Sequence, residues 1–231
     1  MFKTRNTNLE RIDTGDYTAA EYERFLSDIR LVNRFAGDTR ALKKTLFREI
    51  EKYNLKEFSV LDIGAGSGEL LRTIAKFSRK QKRSAKLFGL ELNERSAESI
   101  LEESRNFSEI KSVRADALQL PFAENSFDYV ISSLFTHHLS NKQIVNVLAE
   151  MSRVSSRGIF VIDLHRHPMA YGLYKMFCFV FRISRLVRED GSLSILRGFK
   201  SNEIKELAKE ADLENISIKR YFPYRLVLSG K

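Results

Sequence analysis

An open, mostly parallel α/β sheet is predicted by three observations. Short apolar runs alternate with amphipathic helices through the middle of the chain, the first run ends in a glycine turn, and two strand-like runs close the sequence with no helix between them. Before the alternation begins, Phe25, Ile29, Val32, Phe35, Leu42, Leu46 and Ile50 recur every three or four positions over 22–53, which predicts two helices broken near Gly37. Residues 1–56 are therefore read as an N-terminal helical cap.

The alternation itself runs FSVLDIG, a helix through Lys76, AKLFGLEL, a helix over 93–106, IKSVRAD, FDYVISS, a helix over 141–153 and GIFVIDL. Strands separated by helices form right-handed crossover units, and ligands collect at the carboxyl ends of such strands. Residues 57–164 are the expected binding core. Past Leu164 the pattern lapses into an apolar segment, PMAYGLYKMFCFVF, and then a stretch dotted with Arg182, Arg185, Arg188 and Arg197, so 165–200 reads as a lid insertion. A helix over 201–211 follows, opened by Ser201 with Glu203 and Glu206 in its first turns. ISIKRYF and YRLVLSG, separated by Pro223, then form a closing hairpin over the rest of 201–231. With no internal repeat and no low-complexity tract, the four regions make one domain spanning 1–231.

Composition narrows the chemistry. A chain that is 43% hydrophobic and 30% charged supports a full-sized globular core. A lone Cys178 excludes an internal disulfide, a multi-cysteine zinc site and a three-cysteine cluster, and points to a reducing, cytoplasmic setting. The first thirty residues lack the apolar stretch of a secretory signal. A net charge of +9 brings nucleic acid and anionic membranes into consideration as partners. The basic run over 76–86, however, falls at the turn before the second strand, on the sheet edge opposite the expected ligand, where a solvated face is the simpler reading. The apolar stretch Pro168–Phe181 is interrupted by Lys175 and falls short of the roughly 20 apolar residues of a spanning helix; it is able to touch a membrane but not to cross one.

The glycine turn carries the functional signal. In VLDIGAGSGEL a strand passes through alternating glycines into a helix, a geometry that lets backbone approach a ligand and aims free amides at it. Dinucleotide sites use a similar turn, so two acids sharpen the reading. Glu91 closes the second strand, where a carboxylate can hold both hydroxyls of an adenosine ribose, and Asp116 closes the third, where the next wall of an adenine pocket would stand. The strict glycine alternation weighs against a nicotinamide enzyme.

DIGAGSG, LELN and ADALQLPFAENSFDYVISSL together resemble the class I S-adenosylmethionine-dependent methyltransferases, most of all the small-molecule branch similar to ubiquinone and menaquinone biosynthesis methylases. The resemblance covers about Phe58 to Leu164, with YFPYRLVLSGK matching the family's antiparallel end. It implies a Rossmann-like sheet of seven strands and S-adenosylmethionine as methyl donor, leaving as S-adenosylhomocysteine. It assigns cofactor binding to Asp62, Gly64, Gly66, Gly68, Glu91, Leu92, Asp116, Ala117 and Ser132.

All four histidines lie just past two strands, His137 and His138 after FDYVISS, His165 and His167 after GIFVIDL. For a hydroxyl acceptor the enzyme must align the nucleophile and remove its proton, which imidazole does near neutral pH. His165 and His138 are the catalytic candidates, with pocket lining the open alternative for His137 and His138. A metal site of His165, His167 and Asp163 is possible on ligand chemistry, but side chains two apart at a strand end need further ligands, so no metal site is expected. Ser132-Ser133-Leu134-Phe135 stands where an adenine- or glutamine-nitrogen methylase would carry Asn/Asp-Pro-Pro-aromatic, and Cys178 lacks a Pro-Cys setting. The expected acceptor is a small, hydrophobic phenol, quinol, polyketide or lipid-like molecule, methylated on oxygen or carbon. Two alternatives stay open: an RNA methyltransferase, and a non-catalytic S-adenosylmethionine-binding protein. The aromatic lid segment is read either as packing against the core or as the wall of a greasy pocket beside a bilayer. The resemblance, in which an N-terminal helix often folds over the cofactor, makes Arg30, Asn33 and Arg34 the cap residues to consider there, with packing or surface exposure the open alternative.

Overall fold

The computed structural model describes residues 1–231, with the side chains of Leu26, Arg34 and Ala36 outside the described set, so the expectation for Arg34 falls outside it. Seven strands form one sheet: β1 (Glu57–Ile63), β2 (Ser84–Glu91), β3 (Ile110–Arg114), β4 (Phe127–Ser133), β5 (Ser155–Leu164), β6 (Ser217–Tyr221) and β7 (Arg225–Gly230). Their order is β3-β2-β1-β4-β5-β7-β6. The first five pair in parallel and β7 runs antiparallel between β5 and β6, as the closing hairpin predicts.

The central strands are apolar on both faces because helices cover both. On one face Leu61, Ile63, Val130 and Val161 pack with residues of α7 (Asn141–Val154) and α10 (Ser201–Glu210). On the other, Val60, Ile131 and Ile162 meet α5 (Glu69–Lys80), α6 (Glu94–Glu103) and the helical cap. Because α5 starts at the glycine turn, its basic C-terminal end sits on the opposite edge of the sheet, where both guanidinium ends of Arg79 grip Glu109 at 2.7 Å.

The cap is more divided than its periodicity suggests. A short α1 (Arg11–Thr14) precedes α2 (Ala19–Ala36), which opens on a Thr18–Glu21 capping box. The predicted break falls at Gly37, where a Cβ would lie 2.5 Å from Pro223 Cδ in the hairpin turn, so only glycine permits the contact. The second expected helix is in fact two, α3 (Asp38–Lys44) and α4 (Leu46–Lys52). Thr45 breaks it by turning its hydroxyl back onto the Ala41 carbonyl at 2.8 Å. The lid is also helical throughout: α8 (Pro168–Val180), started by Pro168 and the His167 side chain, and α9 (Arg185–Arg197), which absorbs the arginine-dotted stretch. Ser201 does not cap α10; Lys200 occupies that position, its amide donating to Glu203 Oε2 at 2.8 Å.

One buried ion pair ties cap to sheet. Arg225 on β7 donates to both oxygens of Asp38 at the start of α3, at 2.5 and 3.3 Å, with both residues buried. Removing one partner strands the other charge in the interior. Asp38→Ala is expected to cost about 3–5 kcal/mol in denaturant unfolding, and Asp38→Leu paired with Arg225→Met to recover most of it. A single-variant loss below about 1 kcal/mol, the surface-pair range, would contradict the assignment.

Candidate functional site

The carboxyl ends of β1, β4 and β5 open into a cavity of about 650 Å³, roofed by α2, α8 and α9. Its floor is the glycine turn. The Gly64 amide donates to the Leu90 carbonyl at 3.0 Å, joining the ends of β1 and β2, and Gly68 becomes the N-cap of α5. At Gly66, with φ of +57°, a Cβ would meet nothing within 4 Å, so the backbone is bare toward the cavity. Glu91 at the end of β2 reaches back, its Oε1 accepting the Gly66 amide at 2.5 Å.

Two acids beneath this turn are expensive to ionise. Asp62 is buried, and its Oδ1 has no hydrogen-bond partner. Burial first, and the neighbouring Glu91 charge second, push its pKa well above the usual carboxylate range. Burial also raises Glu91, with the Gly66 and Leu92 amides pulling the other way. A buried and a half-buried carboxylate beside bare backbone favour a cationic ligand that also offers hydroxyl groups.

The remaining predicted cofactor residues divide. Asp62, Gly64 and Gly66 line the cavity. Asp116 is exposed past β3 and accepts the Leu118 amide at 2.8 Å, Ala117 is buried in the core beside it, and Leu92 is exposed. These stand on the same carboxyl edge as the cavity but outside its lining. Ser132 is turned away, donating its hydroxyl to the Ile63 carbonyl at 2.9 Å; Ser133 and Leu134 line the cavity instead.

The histidines separate by environment. His165 lines the cavity with its amide held by the Tyr224 carbonyl and its ring grouped with those of His167 and Tyr224. Burial, and then the charges of Arg220, His167 and Arg166, bring its pKa down to about 4. His167 is occupied as a helix cap, its Nδ1 accepting the Met169 amide. His138 also lines the cavity, with Nδ1 bonded to Asp13 Oδ2 at 2.9 Å. Burial opposes its protonation, but the Asp13 bond and the Glu10 charge outweigh it and raise the pKa. His137, the pocket-lining alternative, is buried against Asp163, Nδ1 to Oδ1 at 2.7 Å.

Sequence reasoning missed the N-terminal strap. Residues before α2 cross the site: Glu10 is buried against the cavity wall, and Asp190 on α9 accepts the amides of Arg11 and Ile12 at 2.9 and 3.0 Å. Asn33 and the apolar residues Phe25, Ile29 and Val32 of α2 line the roof with Leu173 and Phe177 of α8. Only the apolar period of α2 hinted at such a partner. Arg197 is not free to bind an acceptor, because its guanidinium is buried and donates to the carbonyls of His137 and His138 at 2.9 and 2.6 Å.

Comparison with known proteins agrees with this geometry. A family model described as a methyltransferase domain matches residues 60–158. Demethylmenaquinone methyltransferase from Staphylococcus aureus is 27% identical over 178 residues, covering 72% of each chain. The ubiquinone/menaquinone biosynthesis C-methyltransferase UbiE from Klebsiella pneumoniae is 28% identical over 174 residues, 68% of this chain and 67% of that one. Among solved structures, magnesium protoporphyrin IX methyltransferase from Synechocystis, with bound SAH, superposes with a TM-score of 0.63 at 14% identity over 96% of this chain and 99% of its own. The seven-stranded order, the glycine turn on the carboxyl edge and these likenesses make the chain similar to the class I S-adenosylmethionine-dependent methyltransferases, with a methyltransferase domain matched over residues 60–158 and relatives among the ubiquinone and menaquinone biosynthesis methylases.

Proposed function

We propose that the chain methylates a small lipophilic acceptor, of the phenol, quinol, polyketide or lipid-like class, taken up at a membrane surface. The observation that carries this reading is the continuity of one cavity, which runs from Asp62 and the glycine turn to an apolar roof built by α2 and α8. The residues present fit S-adenosylmethionine: an unpartnered buried carboxylate for its positive charge, and bare backbone at Gly66 for close approach. When bound, that cofactor supplies a methyl group on a sulfonium, already an activated leaving group. The chain's own residues are left to bind, align and exclude water.

In this reading Asp62 holds the cationic end, Glu91 exchanges its Gly66 contact for ribose hydroxyls, and Leu92, Asp116, Ala117, Gly64 and Gly68 complete the cofactor side. Phe25, Val32 and Phe177 take the acceptor's apolar body. His165, neutral above about pH 4, accepts a hydrogen bond from an acceptor hydroxyl and orients its lone pair. So acidic an imidazolium makes His165 a weak general base and a good aligner.

Uptake from a membrane is supported by the outer face of α8. Met169, Met176, Phe179 and Val180 are exposed there at helical spacing, with Phe179 84% exposed, and Lys175, Arg182, Arg185 and Arg188 lie alongside. An apolar stripe flanked by cations suits the interface of an anionic bilayer. No helix among the described residues is long and apolar enough to cross one. The RNA reading finds no comparable support, since the basic run of α5 ends on the far edge of the sheet.

Calorimetric titration tests the cofactor side. Glu91→Ala and Gly66→Val are each expected to weaken S-adenosylmethionine binding by roughly 100-fold or more, through lost charge-assisted bonds and a filled cradle. Unchanged affinity in both would remove the site.

His165→Ala is expected to retain cofactor affinity and lower kcat with a hydroxyl acceptor by about 10- to 100-fold, with His165→Gln restoring part of it. Because His165 gains its proton only near pH 4, it should contribute no limb to the kcat profile between pH 6 and 8. A limb in that window that vanishes in His165→Gln would show it titrating as a base.

The lid separates into two readouts. Phe177→Ser should raise KM for a lipophilic acceptor by about 10-fold with kcat little changed. Met176→Ser with Phe179→Ser should instead reduce co-sedimentation with phosphatidylglycerol vesicles. Equal sedimentation of this variant and the parent protein would refute the membrane contact.

A further inference from the structure

In the wall of the cavity, three side chains from distant parts of the sequence converge. Glu10 comes from the N-terminal strap, and His137 and His138 from the 3₁₀ turn Thr136–His138 after β4. One donor atom from each lies within 4.8 Å of the other two, and His137 Nε2 stands 3.8 Å from Glu10 Oε1. Glu10 and His137 are buried, and all three line the cavity.

The surroundings orient this cluster. His137 donates from Nδ1 to Asp163 at 2.7 Å, and His138 donates from Nδ1 to Asp13 at 2.9 Å. Each imidazole therefore has its Nδ1 edge committed to a carboxylate and keeps the lone pair on Nε2. A carboxylate behind each ring is the arrangement that fixes tautomer and raises basicity in metal-ligating histidines. Ser194 donates to Glu10 Oε1 at 2.8 Å and fixes the third group. The charge balance also favours a cation. Three carboxylates, Glu10, Asp13 and Asp163, surround two imidazoles, while the nearby guanidinium of Arg197 is spent on the backbone carbonyls of Asn8, His137 and His138. Arg5 likewise donates to the carbonyls of His137, Leu139 and Arg197.

We propose that Glu10, His137 and His138 form a binding site for a divalent transition-metal ion of the zinc class, with its open coordination positions facing the cavity. Two imidazoles and one carboxylate suit zinc or iron and are a poor match for magnesium, which takes oxygen ligands. Tetrahedral zinc with bonds near 2.0–2.1 Å separates its donors by about 3.3 Å, so the three side chains have to close by at most about 1.5 Å. This departs from the sequence-based expectation of no metal, which weighed only His165, His167 and Asp163. Asp163 instead serves His137, and the rings of His165 and His167 group with Tyr224. The site stands whether or not the acceptor is lipophilic, since metal binding is read without turnover.

The full-length protein, stripped with a chelator, would be titrated calorimetrically with zinc(II), manganese(II) and magnesium(II). One equivalent of zinc should bind with micromolar or tighter Kd, manganese more weakly and magnesium least. Glu10→Gln, which keeps the shape and the Ser194 bond, and His138→Ala should each weaken zinc binding by about 100-fold, and Asp13→Asn, one shell out, by about 10-fold. Unfolding midpoints of the metal-free variants serve as the fold control, and cobalt(II) loading should give visible bands of an N/O-ligated ion that Glu10→Gln alters. Absence of stoichiometric zinc binding to the parent protein, or equal affinity in folded Glu10→Gln and His138→Ala, would overturn the site.

Discussion

A single buried carboxylate, Asp163 at the end of β5, organises the edge of the sheet that opens into the cavity. It accepts four donors at once: the Thr136 hydroxyl at 2.6 Å, the His137 amide at 3.1 Å, His137 Nδ1 at 2.7 Å and the Leu164 amide at 2.7 Å. Burial opposes its charge, but the His137 interaction and these bonds hold its pKa far below the ordinary carboxylate range. The bonds join the ends of two neighbouring parallel strands and set the turn between β4 and α7. The orientation of His137, the position of His138 and the carbonyls that Arg197 grips all follow from it.

From that edge outward the structure is held by arginines that serve backbone, not ligands. Arg166, fully buried, donates to the carbonyls of Gly198 and Phe2 and pairs with Glu203 at 2.5 Å, tying the strap, the end of α9 and the start of α10 together. Arg5 and Arg197 do the same around the 3₁₀ turn. Guanidinium suits this work because its planar fork satisfies several carbonyls at once and never loses its charge. These three of the chain's 39 lysines and arginines are thereby committed to internal architecture and are not available to a polyanion partner.

The roof shows a division of labour within one helix. α8 turns Leu173, Tyr174 and Phe177 toward the cavity and leaves Met176, Phe179 and Val180 in solvent. Tyr174 donates to the Val187 carbonyl at 2.6 Å and locks α8 onto α9. The lid is therefore a two-helix unit with an inner apolar face, an outer apolar stripe and a polar lock between its helices.

Local pattern in the sequence determined the sheet, the glycine turn and the carboxyl edge, because strand and helix periods and the alternating glycines of DIGAGSG are properties of neighbouring residues. The positions of Asp62, Gly64, Gly66 and Glu91 on the carboxyl edge were legible for the same reason: each sits at or just past the end of a strand whose fate follows from topology. Ser132 was misplaced because one residue along a strand reverses the face a side chain takes, and only its bond to Ile63 selects between Ser132 and Ser133. Thr45, ordinary within a helical pattern, became a break through a bond to its own preceding turn. Tertiary structure alone decided the convergence of Glu10 and Asp13 on His137 and His138. Contacts between residues more than a hundred positions apart leave no periodicity to read, and strap, turn and strand meet only once the sheet has set where each must pass.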